Sequence, residues 1–81
     1  MAPEITIRQA TSDDAFALRR LAALDDRPAL RGTVLVAEQA GEIRAALSMD
    51  DDRVVANPFA ATADLVDMLH VHRRYAETVA A

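Results

Sequence analysis

The chain contains no cysteine, no lysine and no tryptophan, and only three of its 81 residues are aromatic. Without cysteine, neither a disulfide framework nor a thiolate zinc site is available to stabilise it. A domain of this length buries only about 60% of the surface that its unfolded chain exposes, so its stability is marginal without help. We therefore expect that help to come from oligomerisation or from a partner chain.

Positive charge is also scarce, because nine arginines stand against nine aspartates and four glutamates, giving a net charge of −4. This balance argues against nucleic acid or an anionic membrane as the main partner. The apolar runs are too short to span a bilayer, and residues 1–4 lack the charge and apolar stretch of a signal peptide. We expect a soluble cytoplasmic domain. Alanine is abundant at 18 residues, and this bias, with arginine replacing lysine, is typical of a GC-rich bacterial genome.

The first third of the chain predicts a strand followed by a helix. Residues 4–10 alternate apolar and polar side chains, with Ile5 and Ile7 on one face, which is typical of a half-buried strand. Thr11 is suited to cap a helix over residues 12–25, and Asp14 completes a short-armed capping box three residues later. The predicted buried stripe of this helix contains four residues, Ala17, Leu18, Leu21 and Leu24.

The rest of the chain predicts a connector, three strands and a second helix. Residues 25–31 form the connector, and the strands are expected at residues 33–37, 43–49 and 53–56. The first of these strands is a nearly continuous apolar run, which is typical of a strand covered on both faces. Gly41 suits positive φ in the first hairpin turn, and residues 50–52 form an acidic, solvated turn. A helix is predicted from about Thr62 nearly to Ala81. The expected fold is a single α+β domain over residues 1–81, ordered β-α-β-β-β-α, with a mostly antiparallel sheet of about four strands and helices packed on it.

This pattern resembles GNAT-family N-acetyltransferases. Residues 5–15 are similar to the opening strand and helix of that family, residues 34–47 to its second and third strands joined by a Gly hairpin, and residues 55–58 to the end of its fourth strand. The resemblance covers most of this chain but only about the first half of a typical member. It implies a GNAT-like half fold and, for a complete enzyme, acetyl-CoA as cofactor.

The chain departs from the family where the cofactor would bind. In the family the fourth strand leads into a glycine-rich loop whose backbone N–H groups hold the pyrophosphate of acetyl-CoA. The corresponding residues 59–65 contain neither glycine nor a cation, and Asp64 places a carboxylate where a phosphate would lie. The family's later strands have no counterpart. We therefore expect no cofactor, with acetyl-CoA retained only under the alternative of an acetyltransferase.

The histidines and the acidic turn do not form a predicted catalytic or metal site. His70 and His72 are two residues apart, so one helix cannot bring both to the same metal ion. The acidic turn at residues 50–52 lacks the spacing and glycine of a calcium loop. His72 falls in the middle of the apolar stripe of the second helix, which predicts a partly buried, hydrogen-bonded histidine or a subunit contact. That stripe is formed by Leu65, Met68, Leu69, Ala76 and Val79.

Two further features favour an interaction role. Phe16 falls on the outer side of the first helix, where it is either incidental or part of a contact patch. The last strand, carrying Val54, Val55 and Ala56, is predicted to leave an open sheet edge, which native proteins rarely leave unprotected. Pairing with another copy or another protein would cover this edge, or Arg53 and the acidic turn would blunt it by charge.

We therefore predict a non-catalytic, truncated GNAT-like domain that serves as a homodimer or as a partner-binding module. The alternative is an acetyl-CoA-dependent N-acetyltransferase, completed by a second chain that supplies the missing strands; it rests on the resemblance alone. A third hypothesis is a small-ligand binder near Asn57, Phe59 and the start of the second helix, for which no residue set names a ligand.

Overall fold

The structure, a computed structural model, describes residues 4–80, with side chains described for residues 4–76. A strand (β1, Ile5–Gln9) leads through a short 3₁₀ turn (Ser12–Asp14) into a helix (α1, Ala15–Leu24). Three strands follow, β2 (Val34–Gln39), β3 (Glu42–Ser48) and β4 (Val54–Ala56), and a second helix ends the described chain (α2, Ala63–Ala80). The predicted α+β class and the order of elements are confirmed.

The four strands form one antiparallel sheet in the order β1-β2-β3-β4, so each strand pairs with its neighbours along the chain. The β2–β3 hairpin turns through Ala40 and Gly41, whose φ angles are 55° and 78°. Two successive residues with positive φ are what a two-residue turn of type I′ requires, because its twist matches that of the strands. The prediction of positive φ at Gly41 is therefore confirmed.

The helices pack on opposite faces of the sheet, because successive strand residues point to opposite faces. Two clusters of buried residues result. The cluster on the α1 face consists of Leu21, Ala22, Val34, Val36, Ala46 and Val55. The cluster on the α2 face consists of Ala37, Ala45, Leu47, Leu65 and Leu69. Strand β2 contributes to both clusters, as its nearly continuous apolar run predicted.

The predicted buried stripe of α1 is only partly right. Leu21 is buried and Leu18 half-buried, but Ala17 and Leu24 are exposed, and Ala22 is buried instead. The physical reason is that α1 crosses the sheet towards β3 and β4, so one side of its apolar stripe overhangs an open groove rather than the sheet. The helix also begins later than predicted, since residues 12–14 form a 3₁₀ turn.

The apolar stripe of α2 is confirmed at Leu65 and Leu69, which are buried, while Val79 lies outside the described side chains. The prediction that His72 lies within this buried stripe is wrong, because its side chain is exposed. Arg73 explains the difference: its Nη2 donates to the Met49 carbonyl at 3.1 Å. This contact fixes the rotation of α2 about its own axis, so that Arg73 faces the β3–β4 turn and His72 faces solvent. Within residues 4–80, no helix combines the length and the apolar character needed to cross a membrane.

Candidate functional site

All three aromatic side chains of the protein lie on its surface. Phe59 is 83% exposed, and Phe16 and Tyr75 are each 69% exposed. The buried core is made instead of small aliphatic residues, since alanine supplies four of the eleven buried apolar residues in the described part of the chain. Aromatic rings usually dominate the energetics of cores and of interfaces. Here their apolar area is available only to another molecule. Phe16 lies on the outer side of α1, as predicted.

The β4 edge carries two of the predicted interaction residues, but their side chains do not face outward. Val55 is 1% exposed and packs under α1, while Val54 is half-buried under α2. The Ser48 N–H donates to the Arg53 carbonyl, and the Asn57 N–H donates to the Arg44 carbonyl. Because backbone groups alternate along a strand, Val54 is then directed away from β3. An interaction at Val54 and Val55 remains a prediction. Of these two residues, only Val54 directs its backbone groups outward, where a partner strand could pair with them.

The connector between α1 and β2 runs along this same edge, which the sequence did not predict. The Ala56 N–H donates to Asp25 Oδ2 at 3.2 Å. Arg53 Nη2 donates to the Pro28 carbonyl at 2.7 Å. A short edge strand with its backbone donors taken by side chains is a common protection against unwanted pairing. The β4 edge is therefore three residues long and partly covered by the protein's own chain.

The opposite edge of the sheet, β1, is longer and less protected. The Ala10 N–H donates to the Val34 carbonyl at 2.8 Å, so the even-numbered residues of this strand face β2. By alternation, the N–H groups of Ile5, Ile7 and Gln9 point away from the sheet. Among the residues that the structure describes, no strand pairs with this side of β1. Three backbone donors in a row are thus presented at the edge.

One flank of α2 lies above the β1 edge. The other flank is fixed towards β4, because Asp52 of the β3–β4 turn lies 3.3 Å from Arg73 Nε and 3.8 Å from His70 Nδ1. Helix α2 also contacts β1, so its second flank is directed to that side of the sheet. We call the edge and this flank together the β1–α2 surface. It comprises Ile5, Ile7 and Gln9 of β1 with Met68, His72 and Tyr75 of α2, whereas Val71 follows the buried Leu69 by two residues and so points away from the sheet.

An ion cluster centred on Arg8 lies on the other face of the sheet. Arg8 Nη1 and Nη2 donate to the two carboxylate oxygens of Asp14 at 2.7 and 2.9 Å, and Arg8 Nε donates to Glu38. Asp14 also accepts from the Thr11 N–H at 2.7 Å, which is half of the predicted capping box. The Arg8 guanidinium, and secondarily the Thr11 N–H, hold the pKa of Asp14 well below its usual range. The two carboxylates raise the pKa of Arg8.

This cluster forms one wall of the groove that α1 overhangs. The groove has a volume of about 390 Å³, and its apolar wall is formed by Ala17, Leu21, Leu24 and Ile43. Because Arg8 is neutralised by two acids of its own chain, it is not available as a cation for an anionic ligand. The cluster therefore serves chiefly to join β1, the start of α1 and β2.

The turn that follows β4 is closed on itself. Asn57 Oδ1 accepts from the Phe59 N–H at 2.8 Å, and the Asn57 carbonyl accepts from the Ala60 N–H at 3.3 Å. Asp64 lies exposed in the first turn of α2. Backbone donors that a phosphate would need are therefore partly consumed, and a carboxylate stands at the helix start. Within the described residues, no group of three or more acidic or histidine side chains is arranged to hold a metal ion.

The chain matches no model of a known protein family, no curated protein and no solved structure. The resemblance to the GNAT family thus rests on the sequence segments quoted above and on nothing further. Function has to be argued from the surface of the protein itself.

Proposed function

We propose that the protein is a non-catalytic domain that binds protein, as a homodimer or with another partner, on a fold like the N-terminal half of a GNAT acetyltransferase. The observation that carries this proposal is the position of the aromatic residues. Phe16, Phe59 and Tyr75 are all exposed, whereas the core is filled by alanine, valine and leucine. Aromatic side chains are enriched at protein interfaces, so these exposed rings are where contact with a partner is expected.

The size of the core supports the same proposal. An aromatic side chain buries about 150–250 Å² when it is enclosed, and apolar area is worth about 25 cal/mol per Å². Enclosing even one of these rings against a partner would therefore contribute several kcal/mol before the cost of association. That is comparable with the whole stability of a small domain. A partner supplies the apolar contact that an alanine-rich core lacks.

The acetyl-CoA alternative receives no such support from the described residues. A pyrophosphate would meet the Asp64 carboxylate at the start of α2, and the N–H groups of Phe59 and Ala60 are engaged by Asn57. In nucleotide-binding proteins the positive end of the helix dipole attracts the phosphate. At the start of α2 the negative carboxylate of Asp64 would repel it instead.

Thermal unfolding tests the proposal directly. If the folded chain is stabilised by association, its melting temperature rises with protein concentration over a hundredfold range, because assembly is linked to folding by mass action. Millimolar acetyl-CoA should leave the melting temperature unchanged. A ligand at about 100 times its Kd stabilises by roughly 2.7 kcal/mol, which is about 10–20 °C for a domain of this size. A shift of that size with acetyl-CoA, with no dependence on protein concentration, would overturn the proposal.

A further inference from the structure

We propose that two copies of the protein join by antiparallel pairing of their β1 edges, with the β1-side flanks of the two α2 helices packed together on one face. The result is a continuous eight-stranded sheet with a two-fold axis at Ile7. This inference rests on the proposed function and gives it a partner, a second copy of this chain, and a surface, the β1–α2 surface.

The outward backbone groups of β1 are complementary to themselves. With the two-fold axis at Ile7, Ile5 lies opposite the partner subunit's Gln9, and Ile7 lies opposite the partner subunit's Ile7. Each of the three outward residues then both donates and accepts, so the pairing forms about six hydrogen bonds in the alternation that antiparallel strands require. The Gln9 carbonyl already accepts from Arg8 Nη1 at 3.2 Å and would use its second lone pair for the partner strand. Strand pairing of this kind is a common way of binding at an exposed sheet edge.

Charge selects this register over its neighbours. In it, Arg8 lies opposite the partner subunit's Thr6, so no like charges face each other. A shift of the axis to Arg8 would place two arginines directly opposite each other, which is destabilising. A shift of the axis to Thr6 would leave Gln9 without a partner among the residues that the structure describes. The only charged side chain of β1 is Arg8, and Asp14 and Glu38 neutralise it within its own protomer. The edge is therefore nearly uncharged although the chain is acidic.

The side chains next to the edge favour the same pairing. Ile7 packs on the α2 face of the sheet, and alternation places Ile5 on that face too. In the proposed register the isoleucines of both copies are adjacent there, beneath the flanks that carry His72 and Tyr75. Both side chains are exposed in the single chain, Tyr75 by 69%. A two-fold axis brings one α2 flank against the other, so the same apolar surface is used by both copies.

The area available suits a second copy. A stable interface takes about 800 Å² from each partner. That is roughly one-seventh of the 5435 Å² that one chain exposes. A five-residue strand alone is too small for this, so the flank of α2 has to contribute to the interface as well. The β4 edge offers less, because it is three residues long and partly covered through Asp25.

Sedimentation of variants tests the edge. Gln9→Pro removes an N–H that points away from β2, so it blocks pairing with a partner without breaking the hydrogen bonds between β1 and β2. Ile5→Lys places a charge at the exposed end of the same edge and is the second variant. We expect the wild-type chain to have twice the mass of either variant at the same concentration. Val54→Lys on the β4 edge is the matched control and should keep the wild-type mass.

A cysteine placed at the axis tests the register. The chain has no cysteine of its own, so Ile7→Cys creates a single thiol in each copy. Directly opposed, hydrogen-bonded residues have Cα atoms about 5.5 Å apart, within the range of about 4.4–6.8 Å that a disulfide spans. Ile7→Cys should therefore form a cross-linked dimer under mild oxidation. Thr6→Cys should not, because its counterpart lies two residues away along the partner strand.

The outcomes separate this inference from the proposed function. If Val54→Lys halves the mass and Gln9→Pro does not, the inference is wrong, while association as such stands. Cross-linking through Thr6→Cys but not Ile7→Cys would overturn the register. A wild-type chain that sediments as a monomer at every concentration would overturn the dimer. The thermal unfolding experiment with acetyl-CoA would then test the proposed function on its own.

Discussion

Asp14 joins the start of α1 to two strands, and its replacement by alanine should lower the stability of the protein substantially. Its carboxylate accepts hydrogen bonds from the Thr11 N–H and from both terminal nitrogens of Arg8. The side chain of Asp14 is only 12% exposed, and that of Arg8 is 34% exposed. The alanine variant leaves the Thr11 donor without its acceptor and Arg8 with Glu38 alone.

The expected magnitude follows from these contacts. Loss of the capping-box hydrogen bond from the Thr11 N–H costs about 1 kcal/mol. Hydrogen bonds to a charged group contribute about 1.5–3 kcal/mol, but a third of the Arg8 side chain is in water and Glu38 remains, so screening reduces this share to about 1 kcal/mol. The total of about 2 kcal/mol corresponds to a fall of roughly 8–16 °C in melting temperature for a domain of this size. Asp14→Asn keeps an acceptor for Thr11 and should lose about half as much.

The effect should depend on pH. The pKa of Asp14 is held well below its usual range by the Arg8 guanidinium first and by the Thr11 N–H second. A carboxyl group whose pKa is depressed by folding stabilises the protein fully above its unfolded pKa of about 3.9 and loses that contribution as the pH falls below it. The difference in melting temperature between wild type and Asp14→Asn should therefore be constant from pH 7 to about pH 5 and shrink steadily between about pH 4 and pH 2.

Far-UV circular dichroism during heating measures these differences, and Asp13→Ala is the matched control. Asp13 lies in the same 3₁₀ turn, is exposed, and should change the melting temperature by only a few degrees. Two results would refute the reasoning. One is an Asp14→Ala variant that melts with the Asp13→Ala control at pH 7. The other is a difference between wild type and Asp14→Asn that persists unchanged down to pH 2.

Two further predictions concern packing. Gly32 and Gly41 have similar φ angles of 73° and 78°, but a Cβ atom at Gly32 would lie 1.8 Å from Asp50 Oδ2, whereas one at Gly41 meets nothing within 4 Å. Both substitutions should cost about 1–2 kcal/mol from left-handed strain, because the Asp50 carboxylate is the end of an exposed, flexible side chain that can move away from a Cβ atom at Gly32. Chemical denaturation measures both costs, and a cost for Gly32→Ala several kcal/mol above that for Gly41→Ala would contradict this. Leu69→Ala should lower the free energy of unfolding by about 2–5 kcal/mol, because it opens a cavity in the core. Val71→Ala, on the exposed side of the same helix, should change it by no more than about 0.5 kcal/mol in dilute solution. Similar losses for both variants would contradict the assigned orientation of α2.

The order of the elements could be predicted because it depends on local patterns. Alternation identified β1, the nearly continuous apolar run identified β2, and Gly41 marked the hairpin between β2 and β3. The cap at Thr11 was also identified correctly, together with Asp14. Each of these features is determined by residues within a few positions of one another, where periodicity and turn chemistry are informative.

The features that decide the interaction surface depend on contacts between distant parts of the chain. The cover of the β4 edge comes from Asp25 and Ala56, which are 31 residues apart, and nothing in their local sequence pairs them. The exposure of His72 depends on how Arg73 rolls α2 against the β3–β4 turn. The role of Arg8 is likewise invisible within β1, since one of its partners, Glu38, lies on the neighbouring strand. A local sequence pattern identifies the apolar face of a helix, but it does not determine how the helix is rotated about its axis when it packs on the sheet.

Because no aromatic ring lies inside the core, the near-UV circular dichroism of this protein does not report on folding in the usual way. Near-UV circular dichroism is normally read as a sign of fixed tertiary packing, and its loss as a sign of a molten state. A well-folded single chain of this protein should give almost no such signal. Tyr75 is its only tyrosine and it has no tryptophan, so ultraviolet emission reports on α2 at the β1–α2 surface alone. A near-UV band that grows with concentration would record the docking of two chains, while the folding of each chain would be followed only in the far-UV.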